Sequence, residues 1–327
     1  MFIYIPFICV ALGAAVSWRG LSPKLLKTSD MIMNAALMLL MLVIGINIGL
    51  SETVMKNLGR IGIKCLLISF AAICCSVGLT FLCEKTVMPL EKIRLTLIEE
   101  KKAETERNGG EKSGDPSSGA EQKSEFSPLL VLMPLFIFFG ILLGYFLLPT
   151  GKQEQIDMLL TVSLIFLYTG AGIILGNNKE VFAYIRKLGL RILFLPLSIF
   201  AGCLLGGLIM GLLLEVPLNW SLLSASGMGY YSMTGAFLTE AYGIEAGVYG
   251  FIVNVSRDVF TVALLPILTK ISKGSPIASG AGGCMDTMLI PVSKAVGPEL
   301  GLVALISGTI TTLAVPIWLP IGVSLLG

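Results

Sequence analysis

Apolar runs long enough to cross a bilayer recur along this chain from Phe2 to Leu326, and they leave it few ways to fold. A hydrocarbon core about 30 Å thick takes roughly 17–25 helical residues to cross. Inside it every backbone N–H and C=O must be satisfied by the segment itself or by neighbouring protein, so only helices and closed barrels span. The chain lacks the alternating ten-residue segments of a barrel. Of its 327 residues 55% are hydrophobic and 13% charged, against about 25% charged in a soluble domain. The fold class expected is all-α and polytopic in the membrane.

Six spans read directly, at 2–18, 31–50, 61–83, 128–148, 156–176 and 190–213, with two more at 246–268 and 300–325. The first has no basic residue before it and no small-residue cleavage site after it, so it reads as a membrane helix and not as a removed signal. Residues 84–127 are rich in Glu, Lys, Ser and Gly and read as an aqueous loop, with helical character over 91–106. A shift of 127 residues lays the first three spans on the next three: Gly13 falls on Gly140, Gly45 on Gly172 and Gly49 on Gly176. A fixed internal period signals duplication. The segments expected are a first three-helix repeat at 1–83, the charged loop at 84–127, a second repeat at 128–213, and a distinct unit at 217–327.

That last unit contains two glycine-broken segments, Ser226-Gly227-Met228-Gly229 and Ser279-Gly280-Ala281-Gly282-Gly283, set in otherwise lipid-compatible sequence. Broken backbone at membrane depth survives only where protein or a water-filled cavity surrounds it, and a matched pair of breaks points to a transporter's binding site. The breaks are 53 residues apart, and at a shift of 54 Gly243, Gly247 and Pro266 fall on Gly297, Gly301 and Pro320. The repeating unit is therefore a broken segment, a glycine turn and a full span.

Basic residues orient the chain. Loops 19–30 and 177–191 carry three and four Lys or Arg and 84–127 carries eight, whereas 51–60, 149–155 and 214–218 carry two, one and none. Basic loops stay in the cytoplasm, which puts 84–127 there, the N-terminus outside and the second repeat inverted. Re-entrant hairpins at the breaks give eight spans and put Lys270 and Lys273 in the cytoplasm; crossing segments give ten spans and put both outside. The reading adopted is eight spans with two hairpins. Either way the C-terminus lies outside.

Chemistry concentrates in a few residues. Asn254, Arg257 and Asp258 share one face of span 246–268, and ionisable groups at that depth generally mark function. At the breaks, the half-helix after Gly227 and Gly229, or after Gly282 and Gly283, aims backbone N–H groups at any ligand. Tyr231, Ser232 and Thr234 add hydroxyls there, while Asp286 and Glu240 offer carboxylates for a cation. The chain has no histidine, and its seven cysteines lack metal-ligand spacing, so no metal or cofactor is expected. No phosphate loop, nucleophile–base pair or nucleic-acid surface is present either.

The segment 225–235, Leu238-Thr239-Glu240, Asn254 with Arg257 and Asp258, Cys284-Met285-Asp286 and Leu289-Ile290-Pro291 together resemble the LysO-type lysine exporters of bacterial inner membranes. Gly45-Ile46 and Asn177-Asn178 extend the resemblance more faintly. Loop 84–127 exceeds what that family needs, and an aspartate follows Arg257 where glutamate is more usual. The resemblance implies export of L-lysine and close cationic analogues across the inner membrane, driven by proton entry. Asp258 would be the exchanging acid, Arg257 and the breaks would hold the carboxylate, and Asp286 or Glu240 would help bind the cation. The layout is similar to elevator carriers, with the six spans as scaffold and 217–327 moving. Self-association is left open. A sodium-coupled carrier of an organic anion, and a membrane-embedded enzyme or sensor, are the alternative readings.

Overall fold

The computed structural model describes residues 4–18, 23–88, 90, 128–146, 153–177 and 189–326. The described residues are helical, without strands, in the order α1 (Tyr4–Trp18), α2 (Pro23–Leu50), α3 (Glu52–Thr86), α4 (Pro128–Phe146), α5 (Gln153–Asn177), a 3-10 turn (Leu190–Leu193) entering α6 (Phe194–Leu213), α7 (Leu218–Ala225), α8 (Tyr231–Tyr242), α9 (Ile244–Ile271), α10 (Gly274–Gly280), a second 3-10 turn (Ala281–Met285), α11 (Leu289–Val296) and α12 (Pro298–Leu326). Among the described residues five stretches are long and apolar enough to cross a membrane: Met31–Leu50, Val54–Thr86, Arg191–Leu213, Ile244–Ile271 and Glu299–Leu326. Three further apolar helical stretches are shorter, Phe7–Ser17, Leu135–Phe146 and Met158–Ile174.

Element ends follow ordinary helix chemistry, and at two places they differ from the sequence expectation. The loop expected at 51–60 is helix. Ser51 alone separates α2 from α3, its hydroxyl accepting from Val54 N at 3.4 Å. Glu52 sits at the positive end of α3 and pairs with Lys56 one turn on, at 3.0 Å. The charges that looked like a loop are thus the exposed first turns of a long helix. The aqueous loop expected from 84 begins later: α3 runs to Thr86, and the apolar Met88 and Leu90 are buried, Leu90 against Gly274. The remainder of that loop, including the helix expected over 91–106, lies outside the described residues, as does Asn178.

The core is built by close helix approach. α1 packs on α5 and α2 on α4, while α3 packs on α6. At Gly13 a Cβ would fall on the carbonyl oxygen of Thr169, with Gly172 Cα 3.0 Å away. At Gly45 a Cβ would fall on the carbonyl oxygen of Ile137, with Gly140 Cα also 3.0 Å away. Small residues let backbones meet in this way, and in lipid that dispersion contact is a main source of helix association. Large apolar side chains on α4 and α6, such as Phe138, Phe139, Leu212 and Leu213, remain exposed on the outside.

Candidate functional site

α7 ends at Ala225, and the chain turns through Met228 at φ 50° and Gly229 at φ 94° before α8 begins. α10 ends at Gly280, followed by Ala281 at φ 43° and the second 3-10 turn. Positive φ is uncommon in residues other than glycine and persists only where surroundings enforce it. Here the two breaks enforce each other: Gly282 N donates to Met228 O at 2.8 Å.

α9 supplies the polar groups that hold this junction. Asn254 is buried and fully used: its Oδ1 accepts from Gly229 N at 2.7 Å, and its Nδ2 donates to Ser224 O at 2.9 Å and Gly250 O at 2.7 Å. It replaces the helical partners that the first break removes. Gly227 passes so close that a Cβ would strike Thr234 Oγ1 and lie 2.6 Å from Asn254 Nδ2. Thr234 itself donates to Tyr230 O at 2.8 Å, so its hydroxyl is engaged by its own turn.

Arg257, 2% exposed, serves the second break. Its Nε donates to Ser279 O and its Nη2 to Ala278 O, both at 2.8 Å, which caps the negative end of α10 with a cation. Its Nη1 reaches Cys203 Sγ on α6 at 2.9 Å, and Nη2 reaches Ser76 Oγ on α3 at a longer 3.5 Å. Asp258, 3% exposed, accepts from Thr287 Oγ1 at 3.3 Å through Oδ2. Its Oδ1 has no partner. That oxygen lies between the breaks, 3.0 Å from where a Cβ on Gly283 would be and 3.6 Å from one on Gly229. Arg257 and Asp258 therefore do not pair with one another; they turn to opposite tasks.

Asp286 is exposed, and its Oδ1 accepts from Thr287 N. Thr287 thus touches both carboxylates, linking an exposed acid to a buried one. Tyr231 is half-buried with its ring edge-on to Phe251, and Ser232 is buried in the first turn of α8. Glu240 stands apart. It lies nine residues beyond Tyr231, about 14 Å along α8, where it is exposed and accepts from Thr161 Oγ1 of α5 at 3.3 Å.

Several residues of the junction were not singled out in the sequence. They are Thr287, Ser76, Cys203, Trp318, whose Nε1 donates to Ser226 Oγ at 2.9 Å, and Thr312, whose Oγ1 donates to Gly282 O at 3.1 Å. A signal existed for one of them. The 54-residue shift lays Asp258 on Thr312, so both copies carry a polar side chain at the same place.

Apolar helices gathered around two joined breaks, with an unpartnered carboxylate oxygen between them, define a multi-pass helical membrane protein with an internal polar site. The family model for "Lysine exporter LysO" matches residues 7–95 and 134–323. The chain belongs to that family. It is 32% identical over 155 residues to Lysine exporter LysO of Escherichia coli (strain K12), covering 47% of this chain and 52% of that protein. It is 28% identical over 192 residues to a putative lysine exporter of Haemophilus influenzae, covering 56% of this chain and 92% of that one. The matched region thus spans about half the length of the Escherichia coli relative. No solved structure matches.

Proposed function

We propose that the protein exports L-lysine from the cytoplasm in exchange for protons, with Asp258 as the acid that takes either the proton or the ammonium group. The observation that carries this reading is the buried Asp258 Oδ1, partnerless between the two breaks. A carboxylate oxygen left open in a protein interior needs a cation or a proton. Relatives named as lysine exporters supply the substrate. Expelling net +1 lysine against a negative interior costs about 2.3 kcal/mol per 100 mV, so a channel would admit lysine. One proton entering for each lysine leaving cancels that cost. Asp286 and Thr287 form the approach from solvent, and Tyr231 and Ser232 in the first turn of α8 meet the lysine carboxylate. Arg257 has its nitrogens on Ala278, Ser279, Cys203 and Ser76, which counts against it as an anion ligand and against an organic-anion carrier.

The architecture proposed is eight spans with two re-entrant hairpins, both termini outside, in two inverted duplications. Contacts related by the sequence shifts support it. The approach of Gly13 to Thr169 and Gly172 has its counterpart, 127 residues on and exchanged, in Gly140 with Leu42 and Gly45. Met228 and Ala281, 53 residues apart, share positive φ, as do Gly243 and Gly297, 54 apart.

The test is reconstitution. Proteoliposomes loaded with labelled lysine are expected to release it when a proton gradient is imposed, with no response to sodium. Asp258→Asn is expected to cut release at least tenfold and remove its pH dependence. Normal pH-dependent release by Asp258→Asn would sink the assignment, and release driven by sodium alone would sink the coupling.

A further inference from the structure

We infer that α3 and α6 belong to the same moving body as the broken segments, that this body works against a second one made of α1, α2, α4 and α5, and that Arg257 is the strut that fastens it rather than a ligand for solute. The inference rests on the carrier reading above only in requiring that something moves. It redraws the boundary expected from the sequence, which kept all six early spans together as scaffold.

The helices sort themselves by how they touch. In α1, α2, α4 and α5, every described glycine that packs tightly on another helix meets a member of the same four. In α3 and α6 the partners are different. A Cβ at Gly202 or Gly206 of α6 would come within about 2.5 Å of the backbone of Ser76 or Ala72 on α3. α6 is then sealed to the first hairpin, where Ser221 Oγ of α7 donates to Gly207 O at 2.7 Å. α3 is sealed to the second: Gly274 N at the start of α10 donates to Glu84 Oε2 at 3.2 Å, and Thr80 lies against Gly274. Among the described residues no glycine packs across the division between the two groups. Contacts that do cross join α8 to α5 and α2, α9 to α2, α12 to α1 and α5, and α2 to α3 across Ser51. One of them is the exposed Thr161–Glu240 hydrogen bond. Backbones locked by glycine cannot slide without breaking many dispersion contacts at once, whereas a surface that lacks such backbone-to-backbone contacts can exchange partners.

Arg257 sits where the fastened body converges. Ser76 and Cys203 are 127 residues apart, hence equivalent under the first duplication, and they meet with Sγ and Oγ 3.3 Å apart. Arg257 donates to both while capping α10, so one buried guanidinium joins α3, α6, α9 and the second break. An arginine released to bind solute would leave the carbonyls of Ala278 and Ser279 uncapped.

Spin-label distances in lipid nanodiscs test this. The accessible cysteines are first removed by Cys74→Ala, Cys75→Ala and Cys83→Ala, and labels are then placed pairwise at Met158→Cys on α5, Leu213→Cys on α6 and Lys294→Cys on α11. Distances are read in acidic and alkaline buffer, with and without lysine. The 213–294 distance is expected to stay single and constant, while 158–213 and 158–294 shift together by roughly a helical turn, about 5 Å. A constant 158–213 with a shifting 213–294 overturns the proposal and restores the six-helix scaffold. Constant distances throughout, in chains that still release lysine from liposomes, overturn it as well. If the distances shift as expected but lysine is not released, the two bodies stand and the lysine reading fails.

Discussion

Asn254, Arg257 and Asp258 occupy little more than one turn of α9, yet each answers a different stretch of chain. Asn254 repairs the first break, Arg257 caps the end before the second, and Asp258 is left between them. Asn254→Ala should lower stability by about 1–3 kcal/mol, because buried N–H and C=O groups lose their partners. Asn254→Asp should lower it comparably, since a carboxylate cannot donate to Ser224 O or Gly250 O; thermal unfolding in detergent reads both. Arg257→Lys cannot reach Ala278, Ser279, Cys203 and Ser76 together from one ammonium. Its maximal release rate should fall at least tenfold while half-saturation by lysine stays within about twofold. A large rise in half-saturation at unchanged maximal rate would mean that Arg257 touches the solute after all.

At the scale of elements, glycine decides which helices share a backbone-to-backbone contact. Gly172→Leu must drive α5 away from Val10 and Gly13 of α1, and most of the monodisperse protein should disappear from size-exclusion chromatography. Gly62→Leu on α3, where an added Cβ meets nothing within 4 Å, should run as the parent does. The 127-residue shift lays Gly13 on Gly140 and Gly45 on Gly172, but the contacts themselves, Gly13 with Gly172 and Gly45 with Gly140, were not read from it, and neither was the grouping of the helices. Gly202 and Gly206 look no different in sequence from Gly172, and only the fold reveals that one set faces α3 and the other α1. The breaks were legible from glycine and hydroxyl content inside apolar sequence. Their mutual hydrogen bond, the role of Thr287 and the turning apart of Arg257 and Asp258 were not, because adjacent residues on a helix point about 100° apart and the sequence does not say what waits in each direction. Glu240 read as a partner of the site and lies instead on the surface between α8 and α5.

For the whole molecule, the orientation proposed rests on the distribution of basic residues. Cysteines introduced into 84–127 should be closed to an impermeant thiol reagent in intact cells, and one at the C-terminus open. The opposite pattern would invert the molecule and turn the inward approach proposed for Asp286 and Thr287 into an outward one. The same fractionation weighs eight spans against ten, through Lys270→Cys and Lys273→Cys, closed in the first case and open in the second.

The bond from Gly282 N to Met228 O bears on how the chain is made as well as on how it works. Its two ends are 54 residues apart, which a ribosome takes about 3–10 s to bridge. For that interval the first turn is held by its own bonds, Tyr230 N to Gly227 O at 2.8 Å and Gly229 N to Asn254 Oδ1 at 2.7 Å, while Met228 O stays without Gly282 N until the second hairpin emerges. A nascent chain arrested after residue 272 should therefore be degraded by membrane quality control, and supplying 273–327 as a separate polypeptide should rescue it.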